Sequence, residues 1–223
     1  MIYSGPAITV QMLEDGIAEF KFDLENESVN KFNRVTLDDL AAAIYAVKAS
    51  PQIKGLLVTS AKNFFIVGAD ITEFGEVFSH GRDYIKNWVM DIHRTFNAFE
   101  DLNIPKVVAI NGFALGGGLE MCLVNDYRVM SDKAQIGLPE LNLGLIPGFG
   151  GTVRIARLAG AAKGIEWIST SYPRKAQQAL ADGVVDEIAP HDELREVALQ
   201  ALKKAIAGEI DWQAKRAIKL QPI

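Results

Sequence analysis

One cysteine, Cys122, occurs among 223 residues, so no internal disulfide framework holds the chain, and a reducing compartment suits it. Cys122 lies in the apolar run LEMCLV and reads as a small core hydrophobe. No apolar run approaches the roughly 18–20 residues that a membrane span requires. The opening MIYSGPAITV lacks the basic start and apolar stretch of a signal peptide, which makes the cytoplasm the simplest location. Basic excess is also missing: 23 Lys and Arg stand against 28 Asp and Glu, for a net charge of −5. This gives no basic stripe for nucleic acid, although backbone N–H groups can still hold an anion locally. The three histidines, His80, His93 and His191, are scattered without metal-ligand spacing, so no metal site is expected. There is no phosphate loop, no dinucleotide fingerprint and no nucleophile elbow. Gly148-Phe149-Gly150-Gly151 comes nearest to a dinucleotide motif, but its spacing is wrong and no strong strand precedes it.

What is present describes a globular α/β domain. Hydrophobic residues make up 49% and charged residues 23%, enough for a sizeable single core. ITVQML and IAEFKFD alternate about Glu14-Asp15-Gly16, the pattern of a β-hairpin. A helix is expected after Val35, capped by Thr36 and stopped near Pro51. GLLVTS and VVAING read as strands buried on both faces. Between them, residues 82–101 repeat Ile85, Val89, Ile92, Phe96 and Phe99 at helical spacing. A short helix is expected to begin among Gly116, Gly117 and Gly118. YRVM, IGL and VVDEI read as further strands, and residues 149–158 and 192–207 as helices. This alternation predicts mainly parallel pairing. The basic tail DWQAKRAIKLQPI reads as a connector.

Two segments place a backbone turn beside chemistry. In Ile66-Val67-Gly68-Ala69-Asp70-Ile71, small residues let a ligand approach the main chain, and Asp70 can fix the turn. In Asn111–Glu120, three glycines at a helix start expose N–H groups that suit a developing negative oxygen. Glu120 lies in the first turn of that helix. Glu140 follows Gly137-Leu138-Pro139 in apolar surroundings, where a charge is costly unless it has a task or a partner. Two carboxylates beside backbone donors can move protons α to a carbonyl.

The segments FIVGADITEF, INGFALGGGLEMCLVNDYRV and IGLPELNLGLIPGFGGTVRIARLAG, in that order, resemble the crotonase (enoyl-CoA hydratase/isomerase) superfamily. The likeness is strongest to the N-terminal part of bacterial multifunctional fatty-acid oxidation α subunits. It runs from SVNKFN to KAQQALADGVVDEI and the basic tail. It implies an α/β, crotonase-like spiral of ββα units that binds an acyl-CoA thioester. The backbone N–H groups of Ala69 and Gly117 would form an oxyanion hole. Glu120 would orient or deprotonate water for attack at Cβ, and Glu140 would protonate Cα. The implied reaction is hydration of trans-2-enoyl-CoA to 3-hydroxyacyl-CoA, with Δ3-Δ2-enoyl-CoA isomerisation at the same site. Substrate contacts are expected at Val29, Asn30, Gly68, Asp70 and Gly116, while Lys31 reads as a solvated charge.

The resemblance further implies a crotonase domain over 1–208 without the usual C-terminal helices, with 209–223 beginning a linker. That linker would lead towards a 3-hydroxyacyl-CoA dehydrogenase region. No cofactor is expected for the crotonase domain, NAD belonging to the dehydrogenase region, and the full-length parent is expected to associate with a thiolase β subunit. Ser169–Arg174 departs from the pattern, since relatives carry a Gly-containing turn there. Rival readings are another CoA-thioester reaction (isomerisation alone, decarboxylation or thioester hydrolysis) or a non-catalytic CoA- or RNA-binding relative.

Overall fold

The computed structural model describes residues 1–222. Its first strands form where hydrophobic alternation predicts them: β1 (Tyr3–Ser4), β2 (Ile8–Met12) and β3 (Ile17–Phe22) pair antiparallel, with Val10 opposite Phe20. Helix α1 (Arg34–Lys48) follows, but its cap is Asn33 rather than Thr36. Asn33 has the extended backbone of a capping residue, and its Oδ1 accepts from both the N–H and the hydroxyl of Thr36 at 2.9 Å. Thr36 is the third residue of the helix, where it is the donor.

Strand β4 (Gly55–Ser60) leads through a loop to α2 (Phe74–Ser79) and the long α3 (Arg82–Glu100). From there each pass of the chain lays one strand in a large sheet and one in a small sheet before a helix. β5 (Lys106–Ile110), β6 (Phe113–Leu115) and α4 (Gly117–Leu123) form one such pass. β7 (Tyr127–Ser131), β8 (Gln135–Gly137) and α5 (Gly151–Ala159) form the next. The remainder is α6 (Ala161–Thr170), β9 (Arg174–Lys175), α7 (Ala176–Ala181), β10 (Glu187–Ala189), α8 (Leu194–Ile206) and α9 (Trp212–Ile218). The large sheet runs β1-β2-β3-β4-β5-β7-β10, parallel from β3 onward, and the small one β6-β8-β9.

The large sheet is covered on both faces, which is why β4 and β5 read as unbroken apolar runs. One face packs Leu57, Val107 and Val129 against Leu194, Ala198 and Leu202 of α8. The other packs Phe20, Phe22, Leu56 and Val58 against residues of α1, α3 and α4, including Leu40, Phe96 and Leu119. Cys122 is fully buried in this second cluster.

Two further local expectations change, and the Ser169–Arg174 departure takes a definite shape. The late strand begins at Glu187, the fourth residue of VVDEI, rather than at Val184, because the N–H groups of Val184 and Val185 close the end of α7 on Ala179 O. The Ser169–Arg174 loop turns without glycine: Ser171 takes φ 54°, and its hydroxyl donates to Ile168 O. The basic tail is not an open connector, since it forms α9 and docks through buried Lys219. Among the described residues, no helix is long and apolar enough to cross a membrane.

Candidate active site

Two turns form one wall of the site, and main-chain bonds stitch them together. Leu115 N–H donates to Ile66 O at 3.1 Å, and Phe65 N–H to Phe113 O at 3.0 Å. Each turn reverses at a glycine with positive φ, Gly68 at 116° and Gly116 at 51°, a region that side chains rarely adopt. The residue after each glycine, Ala69 in one turn and Gly117 in the other, lines the site. In the pairing of Phe32 with Ala69, the bonds use Gly68 O and the Asp70 N–H, so the Ala69 N–H is left over. Gly117 opens α4, and its N–H precedes the first intrahelical bond. Among the described residues neither donor has a partner within the protein.

The carboxylates come from the next elements along the chain. Glu120 is the fourth residue of α4 and is 1% exposed. Its Oε1 accepts from Phe149 N at 2.8 Å and from Gly151 N at 2.7 Å. Burial still dominates and pushes its pKa up to about 8, with the charge of Glu140 adding and the two N–H bonds opposing. Glu140 starts a short 3-10 turn over Glu140–Leu143. Its Oε2 is buried without a hydrogen-bond partner, and burial raises its pKa to about 7. A Cβ added at Gly116 would lie 3.1 Å from Glu140 Oε1, so this carboxyl sits directly against the glycine turn.

Both carboxyls and both turns open on one cavity of about 540 Å³. Its wall is mostly apolar, with Phe74, Trp88, Val89, Leu145, Ile146 and Phe149. The stripe predicted on α3 therefore divides: Phe96 and Phe99 enter the core, while Ile85 and Val89 face the cavity. His93 also lines it and bonds through Nε2 to Gly148 O at 2.7 Å; a carbonyl only accepts, so Nε2 carries the proton. Such a site can hold an apolar chain, polarise a carbonyl on two N–H groups and exchange protons.

The structure brings Gly68, Ala69, Gly116, Gly117, Glu120 and Glu140 together around this cavity. Val29, Asn30 and Asp70 stand outside its lining. The Asn30 side chain is used internally, accepting from Leu24 N and donating to Phe22 O, Ser60 Oγ and Phe65 O. Asp70 fixes its turn by accepting from the N–H and hydroxyl of Thr72, and it pairs with Lys31 at 3.0 Å. Lys31 is thus an ion-paired residue, bridging Glu27 and Asp70, rather than a free surface charge. Among the described residues, no group of three or more His, Cys, Asp or Glu could hold a metal.

Gly148–Gly151 contributes to the site although its sequence suggests only a misspaced dinucleotide loop: the segment supplies the two N–H donors to Glu120. The available signal was a glycine-rich stretch at the start of a helix, which is an anion-binding shape whatever its spacing.

The profile of the enoyl-CoA hydratase/isomerase family matches residues 13–219. The chain belongs to that family. It is 61% identical over its whole length to the fatty acid oxidation complex subunit alpha of Acinetobacter baylyi, and 54% identical to that of Pseudomonas putida. The chain spans 31% of the length of each of these relatives. Among solved structures, the enoyl-CoA hydratase of Geobacillus kaustophilus superposes with a TM-score of 0.85 at 30% identity, covering 98% of this chain and 80% of that one. The enoyl-CoA hydratase of Bacillus anthracis gives 0.82 at 30% identity, covering 96% and 81%. The fold is therefore the crotonase fold that the ordered motifs implied.

Proposed function

We propose that the chain hydrates trans-2-enoyl-CoA to 3-hydroxyacyl-CoA, with Δ3-Δ2-enoyl-CoA isomerisation as a second reaction in the same cavity. The observation that carries this reading is the pairing of Glu120 and Glu140, both raised into the neutral range, beside two unpartnered N–H groups. The thioester oxygen accepts from Ala69 and Gly117 N–H. Glu120, with Oε1 fixed by two donors, takes a proton from water as the water oxygen bonds to Cβ. The electron pair of the double bond moves towards the thioester, giving an enolate whose negative oxygen rests on the two N–H groups. Glu140 then delivers its proton to Cα. Passage of the proton from Glu120 back to Glu140 resets the pair. Isomerisation needs only one carboxyl to carry a proton between two carbons of the chain, so both reactions fit one site.

The substrate brings CoA with it and the reaction uses no other cofactor. Gly68 and Gly116 let the thioester approach the main chain, while Val29, Asn30 and Asp70 would shape the outer CoA contacts. The identity to fatty acid oxidation complex α subunits supports a place in fatty-acid β-oxidation. In that setting, residues 1–208 are the crotonase domain and 209–223 lead towards an NAD-dependent 3-hydroxyacyl-CoA dehydrogenase region of a longer subunit. That subunit would work with a thiolase β subunit in the cytoplasm. Loss of the enoyl-thioester absorbance of crotonyl-CoA tests the reading. Turnover by the chain that Glu120→Gln removes supports it, and full turnover by a folded Glu120→Gln variant overturns it.

A further inference from the structure

We propose that Arg154 is a positioning residue for Glu120, held in place by Glu100 and Lys219. This rests on the assignment of Glu120 above. The two donors to Glu120 Oε1 come from a single turn, Phe149–Gly151. That turn is itself gripped from behind, because Arg154 Nη1 donates to Phe149 O at 3.2 Å. The contact is close: a Cβ added at Gly150 would lie 2.1 Å from Nη1. A shift of the guanidinium therefore moves the Phe149–Gly150 peptide, which lies between the two peptides whose N–H groups hold the carboxylate.

Arg154 is buried, and Glu100 fixes it through Nε and Nη2, both 2.8 Å from Oε2. Nη2 also donates to Asn97 Oδ1 at 2.7 Å. The other oxygen of Glu100 meets Lys219 Nζ at 2.7 Å. Lys219 Nζ in turn donates to Leu123 O at 3.0 Å and Asn125 O at 3.1 Å, at the C-terminal end of α4. The helix that carries Glu120 and the turn that holds its carboxylate are thus tied to one buried acid. A planar fork suits this task, because it can bind a carboxylate and a carbonyl at fixed angles together.

Charge supports the same role. The charged groups facing Glu120 are Glu140 from the 140–143 turn, which disfavours its anion, and Arg154 from α5, which favours it. His93 from α3 lines the same cavity. Arg154 therefore acts on both the position and the ionisation of Glu120.

The test is crotonyl-CoA hydration across pH by Arg154→Lys and Arg154→Met, with thermal melts as the check on folding. Lys keeps the cation but cannot hold Glu100 and Phe149 O together. It is expected to lower kcat about 10- to 100-fold with little change in KM, as a small misplacement of a reacting group does. The limb of its pH profile that belongs to Glu120 should stay where it is. Met also removes the cation and should move that limb to higher pH. A merely structural Arg154 would lower the melting temperature and leave kcat per folded molecule and the limb unchanged, which would overturn the inference. If the Met variant does not fold, the kcat and KM of Arg154→Lys decide the matter alone. Glu120→Gln separates the two levels. If that variant keeps full turnover, the assignment of Glu120 is wrong. If it loses turnover while Arg154→Lys matches the parent, only the positioning role is wrong.

Discussion

At the C-terminal end of α4, Asp126 and Glu100 meet cations; at its N-terminal end, among the described residues, Glu120 and Glu140 form no ion pair. Asp126 lies 3.1 Å from Lys106 and 2.8 Å from Arg216, and Glu100 contacts Arg154 and Lys219. These partners overcome desolvation and hold both carboxyls below their ordinary range. Glu120 is as buried as these two and Glu140 is half-buried, yet their pKa values rise to about 8 and about 7. The difference is pairing, and its sign separates a structural carboxylate from one left ready to exchange protons.

Glu140→Gln should break the reactive end of this comparison most strongly. Loss of a positioned acid or base typically costs about 10²- to 10⁴-fold in rate. Crotonyl-CoA hydration should fall by that order while the melting temperature holds. Near-normal turnover in the folded variant would remove Glu140 from the chemistry.

The paired end should respond through stability. Asp126→Ala leaves buried Lys106 and half-buried Arg216 without their carboxylate, and breaking a buried pair costs about 3–5 kcal/mol. Urea unfolding should register that loss, with turnover per folded molecule unchanged. A loss within experimental error would mean that these ion pairs do not hold the fold.

Gly117→Pro deletes one N–H donor and should cost about 2.7–4 kcal/mol of transition-state stabilisation. Gly117→Ala keeps the donor, although its Cβ would press on Phe149 at 3.0 Å. It is the control for packing, so the rate of the Pro variant should fall well below that of the Ala variant. Equal rates would show that the donor is not used.

The smallest expected effect is a pH-dependent one in stability. Folded Glu120 keeps its proton up to about 8, whereas the ordinary value is 4.5. Its contribution is thus full below about 4.5 and is lost as pH rises through about 8. Asp126 has the opposite sign: its depressed pKa gives stability above the ordinary carboxylate range that is lost as pH falls through the depressed value. Glu120→Gln should therefore gain stability relative to the parent as pH rises from 5 to 9, across the interval between the ordinary and the raised value. A constant difference across this range would contradict the assigned shift.

Much of the frame was legible because its signals are local. Alternation in residues 8–22, the apolar runs at 55–60 and 106–110, and the glycines before α4 all report on their own neighbourhood. Glu120 and Glu140 stood out as charges in apolar company, and the ordered motifs joined them into one site before any geometry was known. What stayed hidden depends on contacts between distant residues. Asn33 displaced Thr36 as a cap because capping depends on backbone conformation, which neither side chain announces. The tail read as a connector because α9 is held largely by Arg216 and Lys219 reaching Asp126 and Glu100, ninety or more residues away in sequence. The donors to Glu120 come from positions 29 and 31 residues further on, and no periodicity reports such a contact.

The pH profile of crotonyl-CoA hydration tests the shared-proton pair most directly. With one carboxyl titrating near 7 and the other near 8, the account predicts a bell with its maximum between those values, whichever group is the acid. Glu120→Gln and Glu140→Gln should each abolish the bell along with the turnover. A rate that stays flat from pH 6 to 9, or a bell that survives in either folded variant, would contradict it.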